Sequence, residues 1–351
     1  MALDLSAALP DLLMAVTDIE SVSGNERALA DAVEEALVAP PHLTVERDGD
    51  AVVARTTLGR GTRVVVAGHL DTVPLAANLP SWRQGDLIYG RGTCDMKGGV
   101  TVALAAAAQL SEPRHDVTWI FYDNEEVEAV KNGLGRLARN RPDLLAGDFA
   151  VLMEPTGARI EGGCQGTLRF EVTTSGTAAH SARSWLGHNA IHNAGVLLRT
   201  LADYEPRTVE VEGLEYREGL NAVGITGGIA GNVIPDRCTI TVNFRFAPDR
   251  DIADAKAHCA QVFAGHDLVW TDESPAARPG LDRPAAAEFL TAVGGEPRAK
   301  YGWTDVARFS ALGVPAVNFG PADPGKAHTD DEFCPVADLH ACHDALLRWL
   351  G

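Results

Sequence analysis

His69 closes the apolar run Val64-Val65-Val66-Ala67-Gly68, and Asp71 follows two residues later. On an extended backbone, positions i and i+2 face the same side, so imidazole and carboxylate can share one pocket. A neutral imidazole is a common zinc ligand, and a nearby carboxylate can orient it through its other nitrogen. Alone, His-x-Asp is an ordinary strand end. Other strand-like runs end in the same way. Residues 117–122 run into Asp123-Asn124-Glu125-Glu126, and residues 149–153 into Glu154-Pro155. Residues 314–319 lead through 320–327 to His328, and Asp95 sits in the glycine-rich stretch 90–99, just before a helical pattern. That stretch is no phosphate loop, because Gly-Lys-Ser/Thr is absent and Lys97 precedes its glycines.

These positions belong to elements that would bring them together. Strands alternating with helices over roughly the first 150 residues, and again after residue 285, imply a mixed, mainly parallel sheet with helices on both faces. In open α/β sheets, ligands gather outside the carboxyl ends of the strands. Two His and several acids at that edge suit a carboxylate-rich metal site. The histidines favour zinc, with Co2+ or Mn2+ as substitutes. Five protein ligands with one shared aspartate exceed what one catalytic zinc needs, and fit two metals roughly 3.5–4 Å apart. One acid must stay outside the coordination sphere to take a proton. Glu125 and Glu126 can divide that labour because neighbouring side chains diverge.

Between the two α/β portions the order is β-α-β-β-α-β, a split βαβ (ferredoxin-like) α+β arrangement. Expected boundaries are 1–165 and 284–351 for the catalytic domain and 166–283 for the insertion. Residues 9–22 and 26–37 read as helices, with Ser23-Gly24-Asn25-Glu26 capping between them.

Composition narrows the classes. With 48 acidic against 30 basic residues and a net charge of −18, the chain lacks the basic surface that nucleic acid or an anionic membrane requires. An anionic substrate must then be met by a few local cations. The start Met1-Ala2-Leu3-Asp4-Leu5 lacks a signal-peptide pattern, and no run approaches the roughly 18 apolar residues of a membrane span. Six cysteines without a C-x-x-C pair suit reduced thiols in a cytoplasmic protein. Cys94, beside a candidate ligand, is read as structural.

Together, residues 68–74, 90–99, Glu125-Glu126, Met153-Glu154-Pro155 and 327–332 resemble the co-catalytic zinc amidohydrolases, a family of N-acyl amino-acid deacylases and carboxypeptidases. The resemblance covers essentially the whole chain. It implies two zinc ions per subunit, with Asp95 bridging, His69 and Glu154 completing one site, and Glu126 and His328 the other. It makes Glu125 the general base and later acid, and gives Asp71 the task of orienting His69. Val127 stands where the family often has glycine. By the same resemblance the insertion is a lid and dimerisation domain, and His180 acts in trans on the oxyanion in a homodimer's partner active site. Asn232 and Arg245 would meet a substrate carboxylate, with Thr304 and Arg308 as further contacts. Within the family, residues 123–135 and 300–309 look most like the shorter, actinobacterial-type desuccinylases. That implies release of succinate from N-succinyl-LL-2,6-diaminopimelate, on the route to lysine and diaminopimelate. Another small anionic N-acyl amino acid or a peptide is the competing substrate. A non-catalytic binding member would have lost Glu125 or ligands, and none is missing. A structural zinc site would favour Cys and His over carboxylates.

Overall fold

The structure is a computed structural model and describes residues 2–351. The chain folds as two units: residues 1–163, 279–298 and 305–351 make the first, and residues 164–278 and 299–304 the second.

The first unit is built on a strand too apolar to face water. Arg63–His69 is buried along nearly its whole length, as are Asp116–Tyr122 and Phe149–Leu152 on either side of it. Such continuous apolar runs belong in the middle of a covered parallel sheet. These three strands and Ala316–Asn318 form four parallel neighbours. Antiparallel strands flank them: the hairpin Thr44–Asp48 with Ala51–Arg55 on one side, Glu161–Gly162 on the other. The sheet has eight strands in all. Four C-terminal strand ends therefore open along one edge. The hairpin is short and half-polar, and sequence periodicity did not reveal it.

Helix Lys97–Gln109 is buried from Lys97 to Ala107. Its small residues permit close packing. A Cβ on Gly99 would stand 2.0 Å from the Met153 carbonyl oxygen, so only glycine lets the helix lie against the backbone that leads to Glu154. The helix expected over 9–22 ends at Thr17. The chain beyond it turns instead to pair with the segment after His69, through a Val22–Thr72 bridge and the Ser23 N–H donating to the Thr72 carbonyl. Glu26 caps no helix with its side chain; its carboxylate accepts from the amides of Gly24 and Asn124.

The second unit is a four-stranded antiparallel sheet in the order Gly219–Gly227, Arg237–Phe246, Gly166–Ser175, Leu268–Ser274. In Arg237–Phe246 every second residue is buried, from Cys238 to Phe246, against helices Ala190–Ala202 and Ile252–Val262. This is the split βαβ order with an added hairpin, Thr208–Val211 and Leu214–Arg217. Residues 299–304 group with this unit although they follow the chain's return. Tyr301 donates to the Glu215 carbonyl, Trp303 to that of Pro275, and the Cys164 thiol to that of Thr304.

Candidate metal centre

The first unit brings together His69, Asp95, Glu126 and His328. One ligand atom each from His69, Asp95 and Glu126 lies within 4.8 Å of the others. Asp95 stands in the middle. Its Oδ1 is 3.1 Å from His69 Nε2, and its Oδ2 is 3.3 Å from His328 Nε2. His328 Nε2 also lies 2.8 Å from Glu126 Oε1. Each oxygen of a single carboxylate thus faces a different imidazole, which suits a bridging ligand. Glu154 is buried at the end of the neighbouring strand, and its charge is felt by Glu125.

Local backbone explains how the ligands reach this edge. Asn124, at φ 59°, reverses the chain directly after Asp116–Tyr122; asparagine tolerates that left-handed conformation. The turn lays the amides of Glu125 and Glu126 on the Asp71 carboxylate, at 2.9 and 3.0 Å. The Ser23 hydroxyl donates to the same carboxylate at 2.7 Å. Asp71 therefore does more than orient His69. Its backbone carbonyl accepts a hydrogen bond from His69 Nδ1 at 3.0 Å, which leaves Nε2 as the nitrogen that could be a ligand, while its carboxylate is 3.5 Å from Nδ1. That carboxylate mainly positions the two glutamates. Asp123 is structural, held by two nitrogens of Arg136.

The electrostatics follow from this crowding. Burial alone would press His69 toward neutrality, yet Asp71 and Asp95 hold its pKa well above the ordinary value. Hydrogen bonds to Asp95 and Glu126 raise His328 to about 10. Burial would raise Asp95, but the two imidazoles hold it below the ordinary carboxylate range. Glu125 goes the other way: burial lifts it well above the ordinary value, His69 opposes, and Asp305, Glu154 and Glu126 add to the rise. A buried carboxyl that readily accepts a proton is suited to general acid–base work. Burial raises the Cys94 thiol, which donates to the Asp323 carbonyl; this is a structural cysteine.

The donor set fits metal ions, because imidazole nitrogens and carboxylates converge with the second nitrogen of His69 already satisfied. Without metal, both histidines carry protons at neutral pH, and those protons must leave when metal binds. Zinc uptake by metal-free protein at pH 7 is therefore expected to release about two protons per chain. Apparent affinity should rise with pH, because the raised histidines give up their protons more readily as pH increases. Titration calorimetry in buffers of differing ionisation enthalpy reads the number directly; a value near zero would refute it.

Other expected site residues lie elsewhere. His180, Asn232, Arg245 and Thr304 belong to the second unit. There the pair Ala179–His180 bonds to Val233–Ile234, and the Asn232 carbonyl accepts from the Ser181 amide, so His180 and Asn232 are neighbours. His180 and Asn232 are exposed, Arg245 half-buried and Thr304 buried. Arg308 is in the first unit with its Nε donating to Asp305, which also holds Asn132. Sequence reading made Ser23 a helix cap and gave Asp305, Arg91 and Glu332 no site role of their own; their roles come from contacts distant in the chain.

Residues 65–351 match the peptidase family M20/M25/M40. The chain belongs to that family. M20 membership makes it a metal-dependent hydrolase, and the four clustered residues are its candidate metal site. A succinyl-diaminopimelate desuccinylase of Corynebacterium glutamicum is 47% identical, covering 97% of this chain and 95% of its own. A Mycobacterium tuberculosis protein, provisionally named succinyl-diaminopimelate desuccinylase DapE, is 53% identical over 99% of each. An acetylornithine deacetylase of Myxococcus xanthus is 31% identical over 85% of this chain and 82% of its own. Among solved structures, a Staphylococcus aureus tripeptidase aligns with a TM-score of 0.79 at 19% identity, covering 100% of this chain and 98% of its own. A Bacillus subtilis dinuclear metal-binding M20 peptidase aligns at 0.72 and 17%, covering 97% and 96%. These likenesses carry the M20 fold. Among the described residues no helix is long and apolar enough to cross a membrane.

Proposed function

We propose that this M20 hydrolase removes succinate from N-succinyl-LL-2,6-diaminopimelate, releasing the free diamine for lysine and diaminopimelate synthesis. The observation that carries this reading is near-full-length similarity to desuccinylases at 47% and 53% identity, with every candidate ligand and Glu125 in place.

His69, Glu154 and Asp95 would hold one zinc ion, and Glu126, His328 and Asp95 a second, with Co2+ or Mn2+ as substitutes. When bound, the pair would supply the Lewis acidity that polarises the amide carbonyl and acidifies the attacking water. Glu125 takes the proton from that water and returns it to the leaving amine. Asp71 holds the Glu125 and Glu126 amides so that the base keeps its place. Arg245 suits a substrate carboxylate: burial and the neighbouring Arg169 both press against its charge, a cost that an anion would relieve. Asn232, Thr304 and Arg308 are further contacts. The metal site sees only an amide, so acyl-group choice rests on these residues. Comparing kcat/KM for the succinylated diamine with that for acetylornithine decides it. The succinylated substrate should win by at least about 10²-fold, as expected when buried polar groups are left unpaired by the wrong ligand; preference for acetylornithine would overturn the reading.

The proposed assembly is a homodimer through the second unit. Strand Gly219–Gly227 lies at the edge of its sheet with Val223 and Ile225 exposed, and Val196 is 68% exposed on helix Ala190–Ala202. Open edges and apolar faces of this kind favour association. His180 would then stabilise the oxyanion in the partner's site. Mixing an inactive His180→Ala chain with an inactive Glu125→Gln chain should restore about a quarter of wild-type activity to the exchanged mixture, because about half of its dimers are mixed and each of those has one intact site; no recovery after subunit exchange would rule out action in trans. All six cysteines are unpaired and buried, which suits the reducing cytoplasm.

A further inference from the structure

Arg91 and Glu332 are both almost completely buried and form a 2.9 Å ion pair. A buried pair of this kind loses much of its attraction to desolvation, so stability alone is a weak reason to keep it. What distinguishes this one is the use of its remaining hydrogen-bonding capacity. Glu332 Oε1 accepts from the backbone amides of Cys94 and Asp95, each at 3.0 Å. Arg91 donates from Nε to the Pro74 carbonyl and from Nη1 to the Thr329 carbonyl. Those backbone positions belong to the segment after His69, the loop of Asp95, and the residue next to His328. His328 itself sits at φ 64°, a conformation that its surroundings must impose.

We propose that Arg91 and Glu332 are positioning residues that preset the spacing of His69, Asp95 and His328, and so allow one carboxylate to serve two metals. The inference rests on the two-zinc reading above. Glu332 aims Asp95 through its own amide, so that Oδ1 and Oδ2 face different imidazoles. Arg91 holds the segments on either side to the same charge. Neither residue touches the reacting atoms.

Each residue is tested by its own variant. Glu332→Gln leaves Arg91 without a counter-charge and weakens the grip on Asp95, so both zinc affinities should fall by about ten- to a hundredfold. Arg91→Lys keeps the charge pair but lacks the fork that reaches both Pro74 and Thr329. Both zinc affinities should then weaken by a similar factor, because Pro74 lies on the His69 side and Thr329 on the His328 side. Zinc titration of metal-free protein against a competing chelator measures both affinities, and thermal unfolding of the same metal-free samples reports stability separately. A purely structural pair would lower the unfolding temperature and leave both affinities within about threefold of wild type in the folded protein; that result overturns the proposal. If Glu332→Gln does not fold, Arg91→Lys carries the test. If wild-type chain takes up only one zinc, the two-zinc reading has failed, and the proposal with it.

Discussion

Glu125→Gln is expected to retain both metals and to lose about 10²–10⁴-fold in turnover. The amide is nearly isosteric with the carboxylate, and the Glu125 backbone N–H that anchors the loop on Asp71 is unaffected by the change. Metal content should not move, because the proposed ligands His69, Asp95, Glu126, Glu154 and His328 are untouched. What disappears is proton acceptance. In the metal-free chain the Glu125 carboxyl is already biased toward holding a proton by burial and by Asp305, Glu154 and Glu126. A glutamine can neither take the proton from water nor return it to the amine. Metal analysis and single-turnover kinetics on one preparation check both halves, and wild-type-like turnover would remove Glu125 from its role.

Asp71→Asn should lower turnover by roughly 10²-fold, the cost of misplacing a catalytic group by about 1 Å. Asp71 is fully buried, and both of its oxygens accept from backbone amides. In asparagine one oxygen becomes an NH2 group. That donor would face either the Glu125 or the Glu126 amide, donor against donor, and the loop must shift. Burial alone would raise the Asp71 pKa, but His69 and the two amides hold it below the ordinary value. The carboxylate's contribution is therefore fully present above the ordinary carboxylate pKa and lost as pH falls through the depressed one. If Asp71 acted only on the His69 ring, Asp71→Asn would mainly weaken zinc binding and spare the chemical step. Measuring zinc affinity and kcat together separates the two roles.

Much of the fold was legible because burial on both faces leaves a plain trace. Arg63–His69 and Asp116–Tyr122 read as strands from unbroken apolar runs, and Arg237–Phe246 from strict alternation. Short elements left no such trace. Trp82–Gln84, Leu87–Tyr89 and Phe333–Pro335 form a three-stranded sheet of three-residue strands, too short for a period to register. Residues 18–22 continue a helical pattern in sequence but are claimed by pairing to the segment after His69.

By itself the sequence determined which side chains can bind metal and where they occur, because ligand chemistry belongs to residue type and strand ends are marked by the close of apolar runs. It determined equally that adjacent Glu125 and Glu126 could split ligand from base. Only the tertiary structure decided that Asp71 grips two backbone amides more closely than the imidazole it neighbours in sequence. Only it joined Arg91 to Glu332 across 241 positions. Hydrogen bonds to backbone carry no residue-type signature in the partner, and no spacing rule picks out one ion pair among many charges so far apart in the chain, so neither contact could be read before the chain was folded.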